Sequence, residues 1–210
     1  QSLILAPTRE LANQIALEIR KLSRHIHNLK VLTLCGGTPF KPQVLSLSHG
    51  AHIIVATPGR VLKHIEQNNI DLENINTLVL DEADKMLDMG FYDDIMSIIN
   101  TLPTKRQTLL FSATYEKNIE KLASNVLSNP VVVKVENEEK VHIKQEFYNI
   151  DEENKTAFIP ALISSNKAKS ILIFCNMKIK CDKLADDLYA LGLDVLTLHS
   201  DLEQKQRDET

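Results

Sequence analysis

The chain has 210 residues, of which 43% are hydrophobic and 25% charged, with a formal net charge of −4. Those proportions are ordinary for a water-soluble globular protein of one large or two small domains. They exclude a membrane-spanning helix, since no apolar run approaches the ~20 residues that such a helix needs.

The charge is uneven. Residues 1–134 carry 14 basic against 13 acidic side chains, and residues 135–210 carry 10 against 15. Indiscriminate electrostatic binding of nucleic acid is thereby disfavoured, so a polynucleotide would have to be held by a local array of donors. Cys35, Cys175 and Cys181 are too few for a disulfide framework and match no common zinc spacing. A reducing, intracellular setting is expected.

In chain order, the sequence opens Gln1-Ser2-Leu3-Ile4-Leu5, directly in a strand pattern and with no signal peptide. An opening without Met or lead-in implies that the parent protein starts upstream. The first strand is predicted at Leu3–Ala6 and runs into Pro7-Thr8-Arg9-Glu10. Leu11, Ile15, Ile19, Leu22 and Ile26 then form one helical stripe. A strand predicted at Val31–Leu34 precedes Gly36-Gly37-Thr38, and one at Ile53–Ala56 precedes Thr57-Pro58-Gly59-Arg60. A strand at Thr77–Leu80 precedes Asp81-Glu82-Ala83-Asp84, and one at Thr108–Phe111 precedes Ser112-Ala113-Thr114. Ile119, Leu122, Val126 and Leu127 mark a shorter helix. Further strands are predicted at Val131–Val135, Phe147–Ile150, Ser170–Phe174 and Val195–Leu198, the last before His199-Ser200-Asp201.

Unbroken apolar strands alternating with amphipathic helices predict an α/β fold with a parallel, doubly wound sheet. The polar run Glu136-Asn137-Glu138-Glu139-Lys140 predicts a linker at 136–142 between domains at 1–135 and 143–210. The second part stops at Thr210 inside a helical pattern, so both domains are expected to be incomplete. The six polar strings all follow strand ends. In a parallel sheet those ends share one edge, which is where ligands bind.

Each string has a chemistry suited to that edge. Asp81 at the end of a buried strand is placed to hold Mg²⁺, and the adjacent Glu82 to orient or deprotonate a water. Ser112 and Thr114 offer hydroxyls that can reach a carboxylate on a neighbouring strand. Thr57 reads as a helix N-cap with Pro58 as the first helical residue. Free N–H groups at such a helix end attract phosphate, and Arg60 adds a fork of donors. Pro7, Thr8 and Arg9 repeat the theme, and Gly36 and Gly37 let a backbone approach closely. Together these junctions could track a sugar–phosphate backbone without reading bases. Gln204 and Arg207 offer similar donors in the second domain. Taken singly, each string is also what an ordinary cap, turn or solvated helix face looks like.

In order and spacing, the set resembles the DEAD-box ATP-dependent RNA helicases. It runs from Pro7-Thr8-Arg9-Glu10-Leu11-Ala12 through Asp81-Glu82-Ala83-Asp84 to Ile173-Phe174-Cys175-Asn176 and Gln204…Arg207, nearly the whole chain. The resemblance implies two RecA-like domains that close over ATP and single-stranded RNA. Asp81 would hold Mg²⁺ through water, and Glu82 would position the hydrolytic water. Asp84 would bond to Ser112 and Thr114, tying hydrolysis to strand separation. Pro7, Thr8, Arg9, Gly36, Gly37, Thr57, Gly59 and Arg60 would line the RNA path, with Gln204 and Arg207 contacting RNA from the second domain. A cytoplasmic monomer is expected, with no membrane partner.

The sequence also departs from that pattern. Its six glycines, at 36, 37, 50, 59, 90 and 192, are never followed by Lys, so no phosphate-cradling G-x-x-x-x-G-K-[ST] loop exists in these residues. The family's adenine-reading Gln segment and its arginine-rich last motifs are absent as well, and Ser200 stands where relatives usually have Gly. The parent protein is therefore expected to hydrolyse ATP, and residues 1–210 alone are not. Other classes stay open: a fragment that binds RNA or docks a protein without ATP, a DNA motor of the same superfamily, and a small-molecule α/β enzyme.

Overall fold

The computed structural model describes residues 1–135, 143–151, 154–166 and 170–210. The chain divides into two compact units, Gln1–Lys134 and Val135–Thr210. The predicted linker at 136–142 lies outside the described residues.

The first unit is built on five strands: β1 (Ser2–Leu5), β2 (Val31–Leu34), β3 (Ile53–Ala56), β4 (Thr77–Leu80) and β5 (Gln107–Leu110). Their order across the sheet is β2-β3-β1-β4-β5, and every pairing is parallel. Leu3, Leu5, Ala56, Leu78 and Leu80 are fully buried. Separate apolar clusters pack on the two faces of the sheet, one reaching all five strands and the other β1 to β3 only, and runs buried on both faces are apolar without alternation; Leu109 of β5 stays exposed. Six helices follow the strands: α1 (Arg9–Leu22), α2 (Phe40–Leu47), α3 (Pro58–Glu66), α4 (Ala83–Asp88), α5 (Tyr92–Thr101) and α6 (Lys117–Val126).

The helices follow from the sequence. Thr8 caps α1 by accepting the Leu11 N–H at 3.2 Å, and Leu11, Ile15 and Ile19 pack against the sheet around buried Ala12 and Ala16. The stripe is shorter than predicted: Ile26 lies beyond the helix end at Leu22 and is exposed. In α6, Ile119, Leu122 and Val126 are buried.

Register fixes the crest. Leu34 pairs with Ala56, Ala56 with Leu5, Leu5 with Leu80, and Leu80 with Leu110. The last residues of all five strands therefore stand in one row. The five polar strings of this unit begin one or two residues beyond that row. The chain leaves β1 toward β2 and leaves β4 toward β5, on opposite sides of the sheet. Divergence of that kind opens a crevice between β1 and β4.

The second unit has α7 (Lys155–Asn166), α8 (Lys178–Ala190) and α9 (Gln204–Glu209). Leu188 of α8 is buried, and α7 packs against α8. No strand forms among the described residues at 147–150, 170–174 or 195–198, and the run 131–135, where the two units meet in sequence, is likewise unpaired. A strand needs a partner ladder as well as apolar side chains. Without one, Leu172, Phe174, Leu196 and Leu198 remain exposed. The apolar-run pattern correctly marks side chains suited to burial, but it carries no information on pairing.

Candidate functional site

Asp81 directly follows β4 at the mouth of the β1–β4 crevice. Its N–H donates to Leu5 O of β1 at 3.0 Å, and the Ala83 N–H donates to Phe111 O at 3.0 Å, so the turn is stitched to strands on either side. Asp81 Oδ1 accepts the Glu82 N–H at 3.0 Å. Glu82 sits in the left-handed region, at φ 48° and ψ 52°, with its side chain exposed. Its backbone turns the chain sharply into α4 and leaves both acids at the crest.

Asp84, on the first turn of α4, is buried. Its Oδ2 accepts from Thr114 Oγ1 at 3.3 Å. The Ser112 hydroxyl donates instead to Thr114 O at 2.7 Å, which braces the loop after β5. Asp84 Oδ1 is buried without a hydrogen-bond partner among the described residues, so one acceptor on this link is open there.

On the other side of the crevice, Pro7 is buried and Thr8 is exposed. The Arg9 side chain is 11% exposed and meets Glu10 at 3.6 Å. Its Nε and Nη1 are buried without partners among the described residues. The guanidinium lies under Gly37, which has φ +73°, and a Cβ there would sit 2.9 Å from Arg9 Nη1. Gly37 is thus required twice, by its backbone and by its neighbour. Gly36 has neither constraint.

Thr57 is the N-cap residue of α3 with Pro58 at the first helical position, as the sequence predicts. Its hydroxyl does not cap the helix; it accepts the Gly36 N–H at 3.4 Å and so joins the β2 and β3 turns. Gly59 is exposed. Arg60 turns inward. Its Nη1 and Nη2 both donate to Thr38 O at 3.1 Å, Nη1 also donates to Gln43 Oε1 at 3.1 Å, and the fork lies 5.4 Å from the Phe40 ring centroid.

Sequence reasoning missed Gln43, Phe40 and His64. Gln43 Nε2 donates to Cys35 O at 3.2 Å and to Thr38 Oγ1 at 2.7 Å. Its Oε1 accepts from Arg60 and from His64 Nε2, the latter at 2.9 Å. The tautomer follows from the network: Gln43 presents its oxygen, so His64 carries the proton on Nε2. His64 is fully buried and stacks on Phe40, with centroids 4.3 Å apart. The spacing of Arg60 and His64, four apart on one helix face, was an available signal.

Burial, with Arg60 and Lys63 nearby, pushes the His64 pKa down to about 4. The fold therefore prefers the neutral ring. Its contribution is complete above the ordinary value of 6.5 and is lost as pH falls from there towards about 4. We expect an acid destabilisation of about 3 kcal/mol from this residue. Melting curves between pH 7.5 and 4 would be flatter for His64→Gln than for the unaltered chain; equal slopes would rule the effect out.

In the second unit, Arg207 Nη2 donates to Gln204 Oε1 within α9, and Arg207 Nε is buried without a partner. His199 pairs with Asp182 at 2.9 Å. Lys178 donates to Asp201 and holds its carboxyl below the usual range.

Among the described residues no group of three or more His, Cys, Asp or Glu side chains could hold a metal ion as a cage. The donor set fits a different arrangement. Mg²⁺ keeps its waters and is usually bound through one or two carboxylates plus substrate phosphates, and Asp81 with Glu82 provides the carboxylates. The same residues contain no phosphate cradle.

A parallel crest of this kind, with an acidic pair between the Arg9 turn and the Ser112–Thr114 turn, defines a RecA-like α/β unit. The chain belongs to the DEAD/DEAH box helicase family: residues 1–122 match that family, and residues 154–210 match the helicase conserved C-terminal domain. It is 46% identical, over its full length, to the ATP-dependent RNA helicase DbpA of Escherichia coli, of which it covers 46%. It is 37% identical over 99% of its length to the DEAD-box ATP-dependent RNA helicase CshA of Geobacillus kaustophilus, of which it covers 44%. The chain thus spans about half the length of the curated relatives it matches. Among solved structures, a DEAD box protein from Methanococcus jannaschii aligns over 100% of this chain and 56% of its own, at 36% identity and a TM-score of 0.63. A hypothetical ATP-dependent RNA helicase from Sulfolobus tokodaii aligns over 61% of this chain and 38% of its own, at 41% identity and a TM-score of 0.57.

Proposed function

We propose that this chain is part of an ATP-dependent RNA helicase that couples ATP hydrolysis to local remodelling of RNA duplexes. In this reading residues 1–135 belong to the ATP-binding RecA-like domain, 136–142 to the linker and 143–210 to the C-terminal RecA-like domain. The carrying observation is the shared crest: Asp81 and Glu82 stand beside the turns that bear Arg9, Gly36, Gly37 and Thr57, with strand ends in one row.

Asp81 would hold Mg²⁺ through water, and Glu82 would orient the attacking water and take its proton. When bound, the metal neutralises charge developing on the transferred phosphoryl group. The bond from Thr114 to Asp84 ties the loop after β5 to the acidic turn. A shift in either is then felt by the other. Pro7, Thr8, Arg9, Gly36, Gly37, Thr57 and Gly59 would line the RNA backbone, joined from the second domain by Gln204 and Arg207. The 2′-hydroxyl would favour RNA over DNA. No helix among the described residues is long and apolar enough to cross a membrane; a monomer working in the cytoplasm is the setting we propose.

The open nitrogens of Arg9 give the direct test. Arg9→Ala is expected to weaken binding of a single-stranded RNA by about 10- to 100-fold, the loss of one charge-assisted hydrogen bond. It should also lower the salt slope by about 0.7. Fluorescence anisotropy across a salt series, with DNA of equal sequence in parallel, measures both. Unchanged affinity would favour a small-molecule enzyme, and equal affinity for DNA a DNA motor. The missing phosphate cradle favours a second reading for residues 1–210 taken alone, namely ATP-independent RNA binding.

A further inference from the structure

Arg60 is the one arginine of the crest whose terminal nitrogens are already occupied within the described residues. Both meet Thr38 O, and one also meets Gln43 Oε1. Its flat face is covered by Phe40 on one side. Such a guanidinium is poorly placed to offer its fork to a phosphate, which needs two parallel free N–H groups. Gln43 is the reason. Its side chain is 8% exposed, and all four of its contacts are made inside the protein, to Cys35 O, Thr38 Oγ1, Arg60 and His64. Two of them anchor the amide to the two ends of the Gly36–Thr38 loop, and the other two hold α3. His64, itself pinned between Phe40 and Gln43, keeps the amide from rotating.

We propose that Gln43 is a positioning residue that locks Arg60 onto the Thr38 carbonyl, so that Arg60 braces the Gly36–Thr38 loop over Arg9 instead of contacting phosphate. The inference rests on the RNA-path reading above, and it assigns different work to two arginines that look alike in sequence. Arg9 supplies the charge, and Arg60 supplies the shape of the loop above it. Gly37, which covers Arg9, lies between the two anchor points Cys35 O and Thr38 O.

The test compares Gln43→Met and Arg60→Lys in the 210-residue chain. Gln43→Met removes no charge, and Arg60→Lys keeps the charge but loses the planar fork. Without RNA, backbone ¹⁵N order parameters at Gly36–Thr38 are expected to be near ~0.85 in the unaltered chain and below ~0.6 in both variants. With a single-stranded RNA, both variants should bind about tenfold more weakly at an unchanged salt slope, and the double variant no worse than either. Order parameters that stay high in both variants would overturn the brace. So would full affinity in Arg60→Lys, which is what a simple charge contact predicts. Arg60→Lys, at a half-buried position, serves if Gln43→Met does not fold. Failure of the unaltered chain to bind RNA would sink the proposed function, and the order parameters would still decide the brace.

Discussion

Incubated with Mg²⁺, ATP and single-stranded RNA, residues 1–210 are expected to release phosphate at least ~10³-fold more slowly than the longer helicases of the family. The reason lies in what the crest contains. On the proposed reading it offers Asp81 and Glu82 for a hydrated metal and a water, with the turn fixed by bonds to Leu5 O and Phe111 O. It offers nothing to hold the triphosphate, because none of the six glycines precedes a lysine. Phosphoryl transfer depends almost wholly on positioning and on donors aimed at the γ-phosphoryl oxygens, so half a site gives far less than half the rate. Glu82→Gln should leave the residual rate unchanged. A colorimetric phosphate assay decides the matter, and turnover at an ordinary helicase rate that Glu82→Gln abolishes would refute the expectation.

The second large effect concerns two adjacent glycines that the sequence presents as equivalent. Gly37→Ala forces an L residue to φ +73° and puts a methyl 2.9 Å from Arg9 Nη1. The backbone part costs about 1–2 kcal/mol. The steric part is relieved by moving the end of the Arg9 side chain, so binding suffers more than folding does. We expect RNA affinity to fall by about tenfold or more, as for loss of a charged hydrogen bond. Gly36→Ala has no atom within 4 Å of the new methyl and no positive φ, and should bind and melt as the unaltered chain does. Melting temperatures and anisotropy on the matched pair test this. Equal behaviour of the two variants would mean that Gly37 does not set the position of Arg9.

Much of the first unit was legible beforehand. Val/Ile/Leu runs gave the five paired strands to within a residue, because strands packed under helices are mostly apolar; β5, exposed at Gln107 and Leu109, is the least covered. Position after a strand end was enough to put five polar strings on one crest. What escaped depends on partners that no local pattern names. The runs at 131–135, 170–174 and 195–198 have the same composition as the paired strands, but their backbones find no ladder. Arg60 and Arg9 follow similar turns. Only the packing of Phe40, Gln43 and His64, on two helices that meet in space, turns Arg60 inward. The Ser112 hydroxyl, expected on Asp84, is satisfied by Thr114 O two residues along, a local alternative open to any serine in a turn.

Among the described residues, four non-glycine positions adopt positive φ, and three of them are asparagines: Asn28, Asn68 and Asn129. Asparagine tolerates that region well, because its short side chain can bond locally. The fourth is Glu82, a long acid with no such compensation. Directed evolution for heat resistance alone, blind to chemistry, should therefore tend to discard this glutamate in favour of glycine or asparagine. Survivors of such a screen would be sturdier but would lose the carboxylate proposed to orient water, because the conformational tension at position 82 is inseparable from where it aims that group.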